Sequence, residues 1–306
     1  MFCYKYPCKI VVVEDNLREI QSLKAALSFS FKNTQYFTSF QEAEVFLSQL
    51  PIYNYPKIFS EIVNTEMNND IKVNINMLKI CQLKDDKEKY KNVSVVISDY
   101  SLPDGDGLEV LNSIKDKDVY KILYTGVADE KIAIDSFNKG YINAFVKKSD
   151  PTYLLIDEIK KGGNQYFYNK SKSIIDIINS SSSGDTILMN SIYQDIINNI
   201  ILEKFIVEVY LLDTLGSYLL INEKGETYIL LLSDKLSIDA QLQCLEQVNN
   251  CKKYINDIKN GNRFLYLLKD MNNVDNLQKI IFKAKAINNR FLYSLIKGNE
   301  LMKYIT

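Results

Sequence analysis

Four short runs, KIVVV at 9–13, VSVVIS at 93–98, KILY at 121–124 and AFV at 144–146, are apolar on almost every position, and each is followed within two residues by charged or hydroxyl side chains. A strand that is apolar on both faces needs cover on both faces. That demand is met by a parallel sheet wrapped in helical crossovers, not by a half-solvated antiparallel one. The segments between the runs supply the helices. Leu17, Ile20, Leu23, Ala26 and Leu27 repeat at three and four, with Asn16 placed as the cap, so a helix is predicted from Asn16 to about Phe31. TQYFTSF and QEAEVFLSQL predict the next strand and helix, and LEVLNSIK another helix. Residues 129–138 predict a helix with Ile132, Ala133, Ser136 and Phe137 on one side. A last helix over 152–161 is expected to stop at Gly162-Gly163, a C-cap pair. Five strand-helix pairs in alternation predict an α/β fold over residues 1–162, a five-stranded doubly wound parallel sheet of flavodoxin-like type.

Composition narrows the chemistry. The 37 basic and 38 acidic residues nearly cancel, so no long-range field draws the 306-residue chain to nucleic acid or anionic lipid. Five cysteines, odd in number and without a CxxC spacing, read as reduced thiols acting as small hydrophobes. No apolar stretch has the length of a signal peptide or of a spanning helix, about 18 residues. The expected location is therefore cytoplasmic, with no membrane partner. The chain contains no histidine, which excludes a Ser-His-Asp or Cys-His nucleophile, a His-ligated zinc and a phosphohistidine of its own. Any phosphoryl group must come from another protein or a small donor.

In a doubly wound sheet, polar groups at the carboxyl ends of the strands converge on one crevice. Glu14 and Asp15 follow the first strand, Asp99 the third, Thr125 the fourth, and Lys147 and Lys148 the fifth. Three carboxylates at one spot repel unless a cation sits between them, and hard oxygen ligands suit Mg²⁺. Taken singly, each acid reads as a helix cap or a turn opener. That reading does not explain why they coincide with a threonine and a lysine pair.

VVVED, VVISDYSLPDGDG, ILYTG and FVKKSD, in this order and at strand ends, resemble the receiver (CheY-like) domain of bacterial two-component response regulators over about residues 8–162. The resemblance implies that Asp99 accepts a phosphoryl group from a sensor histidine kinase, and that Glu14, Asp15, Asp99 and the Ser101 backbone carbonyl hold Mg²⁺. It also implies that Thr125 and a lysine contact phosphoryl oxygens and that Phe145 is the switch aromatic. Counting from Gly140 by the commonest family spacing gives Lys147, whereas the aromatic-aliphatic-x-Lys pattern gives Lys148. The second register is favoured, because it puts Phe145 three residues before the lysine. Ser149 stands where the family usually has proline, which puts the local loop geometry in question. Ser101 and Val127 occupy positions that, in the family the chain resembles, often tune water attack on the acyl phosphate. Val127 cannot orient a water, so slow dephosphorylation is expected. On this reading the chain is a phosphoprotein switch and catalyses only its own phosphoryl transfer and dephosphorylation.

Asp15 and Asp99 lie 84 positions apart, more than a receiver needs, which marks roughly residues 51–92 as an insertion. Within it KIFSEIVN has a helical pattern, IKVNINM alternates as a half-buried strand would, and KDDKEKYKN reads as a solvated charge run. The insertion is either a partner-docking element or a decorated surface loop.

Beyond Gly163 the chain turns polar and ends in SSSSGD, so residues 163–185 are expected to be a linker and 186–306 an α+β output or dimerisation domain. Leu188, Ile192, Ile196 and Ile200 predict a helix over 186–202. FIVEVYLL, SYLLI and TYILLL predict an antiparallel meander with glycine turns. A helix over 239–248, a strand at RFLYLL, a helix over 277–287 and a strand at RFLYSLI complete it. There is no helix-turn-helix pattern or basic recognition helix, so DNA is not the expected partner; a homodimer or a downstream protein is. The rival reading is a hydrolytic output. Asp213, Glu223, Lys224 and Glu226 loosely resemble the acidic-and-lysine sites of metal-dependent nucleases, although an NEKGE hairpin turn accounts for them as well.

Overall fold

The computed structural model describes residues 2–51, 55–64, 71–126, 130–181, 187–246, 248–267, 277–298 and 300–302. The chain divides into two compact units. One is built from Tyr6–Tyr55 and Asp86–Lys170, the other from Met1–Lys5, Pro56–Asp85 and Ser171–Thr306. The second unit is thus assembled from three stretches of sequence, and this differs from the expected contiguous partition at 162 and 185. In chain order, β1 (Tyr4–Lys5) belongs to the second unit.

The first unit follows the expected alternation. It runs β2 (Lys9–Val13), α1 (Leu17–Leu27), β3 (Thr34–Phe37) and α2 (Phe40–Ser48). The chain then leaves for α3 (Tyr55–Phe59), β4 (Ser60–Asn64), β5 (Ile71–Ile75) and α4 (Met77–Gln82). It returns with β6 (Val93–Ser98), a two-residue ladder of β7 (Ser101–Leu102) with β8 (Gly105–Asp106), and α5 (Gly107–Ser113). Then come β9 (Tyr120–Thr125), α6 (Glu130–Asn138), β10 (Ala144–Lys147) and α7 (Thr152–Ser181). The five long strands pair in parallel in the order β3-β2-β6-β9-β10, a doubly wound flavodoxin-like sheet. Ile10, Val12, Val95, Ile97, Ile122 and Val146 form one cluster with Leu23 and Leu27 of α1 and Leu155 and Ile159 of α7. Covered on both faces, the strands need no polar alternation, which is why they read as unbroken apolar runs.

The helix expected to end at Gly162-Gly163 continues to Ser181. Packing accounts for the first of its two glycines. A Cβ on Gly162 would come 2.6 Å from the Tyr120 ring, whereas one on Gly163 would meet nothing within 4 Å. Gly163→Ala is therefore expected to stabilise by about 0.5–1 kcal/mol, since mid-helix glycine costs entropy. Gly162→Ala should destabilise, as the contact outweighs the same gain. Paired urea melts check both signs, and two shifts of equal sign would contradict the packing argument. Past the glycines, the buried Lys170 ammonium donates to both Asp116 oxygens at 2.9 Å and lies 2.9 Å from Asp118, fixing α7 to the α5–β9 connection. Of the expected linker, residues 163–181 are helical and 182–185 lie outside the described residues.

The insertion departs from expectation in two places. KIFSEIVN is not one helix: α3 ends at Phe59, and SEIVN is the strand β4, paired antiparallel with β5. The β-branched Ile62 and Val63 favour a strand once a partner strand is present. The charge run folds as short 3-10 turns over Leu83–Asp85 and Lys87–Lys91, and Lys89 within it is buried, its ammonium 4.8 Å from the Tyr90 ring centroid. A lysine stem can bury itself when an aromatic face takes the charge.

The second unit continues with a 3-10 turn Ile187–Met189, α8 (Ser191–Lys204), β11 (Ile206–Leu211), β12 (Tyr218–Asn222) and β13 (Thr227–Asp234). It goes on to α9 (Ile238–Glu246), α10 (Ile255–Lys259), β14 (Arg263–Leu265), β15 (Ile281–Lys283), β16 (Lys285–Ala286) and β17 (Phe291–Lys297). The expected meander β11-β12-β13 is present, extended to the sheet β1-β11-β12-β13-β17-β16. The expected helix over 277–287 is instead a 3-10 turn, Leu277–Ile280, followed by β15, which pairs with β14. A distant partner decided this segment, and its local spacing did not.

Candidate functional site

The strand registers bring the expected residues to one edge. Val13 pairs with Ser98, Ser98 with Leu123, and Lys147 with Thr125, so the positions that follow β2, β6 and β10 lie side by side with the end of β9. Glu14 is tied in by its N–H to Phe37 O at 3.0 Å, and Asp99 by its N–H to Val13 O at 2.9 Å. Asn16 caps α1, its Oδ1 accepting from Arg18 N, which turns the chain immediately after Glu14 and Asp15. On the other side, a Cβ at Gly107 would fall 1.6 Å from the Asp99 carbonyl oxygen; only glycine lets α5 start this close. The other two acids of the PDGDG turn are capping groups. Asp104 accepts from Phe40 N and Gln41 N at the start of α2, and Asp106 accepts from Leu108 N at the start of α5.

Carboxylate oxygens of Glu14, Asp15 and Asp99 lie within 4.8 Å of one another. The Lys148 ammonium reaches in from the end of β10, 2.8 Å from Asp99 Oδ2 and 2.6 Å from Glu14 Oε2. Lys148 faces the carboxylates, while Lys147 lines a separate pocket of about 380 Å³ with Phe145, Ala133, Ile134, Phe137 and Ile142. Thr125 is buried at the end of β9, and its carbonyl accepts the Lys148 N–H at 3.1 Å. Ser101 lies in the β7 strand two residues past Asp99. Val127, the position tied to slow dephosphorylation, lies outside the described residues.

Electrostatics distinguish these groups. Glu14 is 1% exposed, and burial pushes its carboxyl up despite the opposing pull of Lys148. Burial acts to lower Lys148, but its bonds to Asp99 and Glu14 overcome that and hold it above the ordinary lysine value. Glu14 Oε2 meets the Lys148 ammonium at 2.6 Å, the contact that holds this buried carboxylate charged. Among the described residues three carboxylates gather around this lysine, and hard oxygen donors in that number fit a further, hard cation such as Mg²⁺.

Among the described residues, the acidic side chains of the second unit are not gathered in this way. Asp213 Oδ1 accepts from Gly216 N and Ser217 N, and its Oδ2 from the Tyr266 hydroxyl at 2.6 Å. Glu223 and Lys224 are exposed in the β12–β13 turn, and Glu226 pairs with Lys297 at 2.6 Å. Sequence reasoning passed over Tyr124, whose hydroxyl donates to Glu19 Oε1 at 2.8 Å beside the carboxylates. The signal was available: a phenol interrupts the aliphatic run KILYT.

No protein-family model matches the sequence, and no curated protein aligns with it well enough to count as a match. Among solved structures, the Legionella pneumophila response regulator LqsR aligns over 97% of this chain and 89% of its own, at 23% identity and a TM-score of 0.74. A CheY-like response regulator receiver domain protein from Methanospirillum hungatei JF-1 aligns over 52% of this chain and 95% of its own, at 19% identity and a TM-score of 0.34. The HemR receiver domain from Leptospira biflexa aligns over 51% and 94%, at 18% and 0.33. Scores this low add nothing to the assignment. The alignment with LqsR establishes the fold, a receiver-type parallel sheet followed by a second unit with an antiparallel sheet. No helix among the described residues is long and apolar enough to cross a membrane.

Proposed function

We propose that the chain is a two-component response regulator whose receiver is switched by phosphorylation of Asp99. One observation carries this reading: the Lys148 ammonium bridges Asp99 Oδ2 and Glu14 Oε2, inside a cluster of three carboxylates at the carboxyl edge of a doubly wound sheet. Glu14, Asp15, Asp99 and the Ser101 carbonyl would hold Mg²⁺, which supplies charge neutralisation for in-line phosphoryl transfer. Asp99 presents Oδ2 as the nucleophile, while Oδ1 is held by the Tyr100 N–H at 2.7 Å. Lys148 and the Thr125 hydroxyl then take up the phosphoryl oxygens. The donor is the phosphohistidine of a sensor kinase, since this chain has no histidine of its own. Phe145 and the α6–β10 surface respond to the new charge, and the readout is altered self-association or contact with a downstream protein. A hydrolytic output is the weaker reading, because Asp213 Oδ1 is taken by its own turn and Oδ2 by the Tyr266 hydroxyl.

The test is incorporation of phosphate from acetyl phosphate with Mg²⁺, followed by intact mass in the full chain and in Asp99→Asn, with sizing of both. One phosphoryl group in the wild type and none in the variant is expected. Equal incorporation in both would place the acceptor elsewhere.

A further inference from the structure

The residue before Thr125 has no part in the scheme above, yet it makes a long-range contact. Tyr124 points to the opposite side of β9 from Thr125, into the cluster shared with α1 and α7. Its hydroxyl donates to Glu19 Oε1 at 2.8 Å, and Glu19 sits in the first turn of the helix that begins right after Glu14 and Asp15. Its ring centroid lies 5.9 Å from the Lys148 ammonium, at the outer edge of cation–π reach. Its register partner is Val146, two residues before Lys148, and the next residue, Thr125, accepts the Lys148 N–H. Tyr124 therefore joins α1 to the Lys148 ammonium in the carboxylate cluster. Burial, then the Glu19 carboxylate, push its phenol well above the usual range, which favours the hydroxyl as the donor.

We propose that Tyr124 is a positioning residue: clamped through its hydroxyl to Glu19, its ring confines the Lys148 ammonium to Asp99 and Glu14. A lysine on a four-carbon stem has many rotamers, and a fixed aromatic wall removes those that leave the pair. The proposal rests on reading the cluster as a cation and phosphoryl site. It has a direct consequence, because Lys148 and an incoming Mg²⁺ compete for the same two carboxylates.

The experiment measures Mg²⁺ affinity by calorimetry, together with the side-chain ammonium resonance of Lys148 by NMR, in wild type, Tyr124→Phe and Glu19→Ala. It repeats the Tyr124→Phe change on a Lys148→Gln background. Releasing the clamp should loosen Lys148, so both single variants should bind Mg²⁺ about fivefold tighter, a modest fraction of one hydrogen bond to a carboxylate. Their Lys148 resonance should broaden, and acetyl-phosphate labelling at saturating Mg²⁺ should slow by a similar factor. On the Lys148→Gln background, Tyr124→Phe should change Mg²⁺ affinity no further. Unchanged affinity with an unchanged resonance, or the same shift without Lys148, would overturn the assignment in favour of a purely structural phenol. Should Lys148→Gln fail to fold, the resonance in the single variants decides alone. A wild type that binds Mg²⁺ but never takes phosphate would sink the phosphorylation reading and leave this test intact.

Discussion

A fragment spanning residues 186–306 is expected to remain unfolded on its own, although the sequence marks it as the second domain. Its edge strand β11 would lose β1, which pairs Tyr4 with Tyr210 and Lys5 with Val209, and the Leu211 N–H would lose the Cys3 carbonyl. Cys3 and Tyr4 are fully buried, the Cys3 N–H donates to Ser171 Oγ at 2.9 Å, and the Tyr218 hydroxyl donates to Phe2 O. The 56–85 segment contributes Phe59, whose ring lies 5.6 Å from that of Tyr4, and Ile80 and Cys81 of α4, a helix packed against β11. Each large apolar side chain taken from such a core costs about 1.5–3 kcal/mol. Tyr4, Phe59 and Ile80 together therefore approach the whole stability of an ordinary domain, about 5–15 kcal/mol. Circular dichroism on heating should show no cooperative transition for the fragment, with dye binding that signals exposed apolar surface. Replacing 56–85 by a flexible linker in the full chain should likewise unfold the second unit and spare the first. A sharp, reversible melt of the fragment would mean that the three-segment core is dispensable.

The same observation shows where the sequence could be read and where it could not. The parallel-sheet unit was legible because its strands are buried on both faces and their polar ends fall in a strict order; Glu14, Asp15, Asp99 and Thr125 stand where the alternation puts them. The sequence already favoured Lys148 over Lys147, through the aromatic three residues before it; the structure adds that the Lys148 ammonium lies on Asp99 and Glu14, with Asp150 Oδ2 accepting the Lys147 N–H. Tyr4–Lys5 gave no local signal, as a two-residue strand is defined by its partner, and the partner lies some 200 residues away. Gly162-Gly163 misled for a related reason. Glycine marks either a cap or a close approach, and only the position of the Tyr120 ring says which. The insertion was found by counting, but its allegiance to the second unit depends on Phe59 meeting Tyr4, a contact that no periodicity encodes.

Lys148→Met should cost about 3 kcal/mol of stability at neutral pH, the low end for stranding a buried charge, because Lys148 retains some solvent contact. Glu14 would be left 1% exposed beside Asp99 with no ammonium to balance it. The sign of the pH dependence follows. Burial already raises Glu14 in the folded protein, and Lys148 opposes that rise. Without Lys148 the folded carboxyl is raised further, and the folded state holds a proton that the unfolded chain releases. Stability of the variant must then fall as pH climbs from the ordinary glutamate value through the raised one, and recover on acidification. The wild type should be flatter across that window, because Lys148, itself held above its ordinary value, stays charged until well into the alkaline range and its contribution is lost only there. Mg²⁺ should rescue the variant more than the wild type, since it replaces the missing positive charge and meets no competing ammonium; at a hundredfold excess over its dissociation constant a single site contributes about 2.7 kcal/mol. Urea melts at several pH values, with and without Mg²⁺, measure all three effects. A variant as stable as wild type at neutral pH, and equally insensitive to Mg²⁺, would show that Glu14 does not carry the charge that the proposed metal site and switch require.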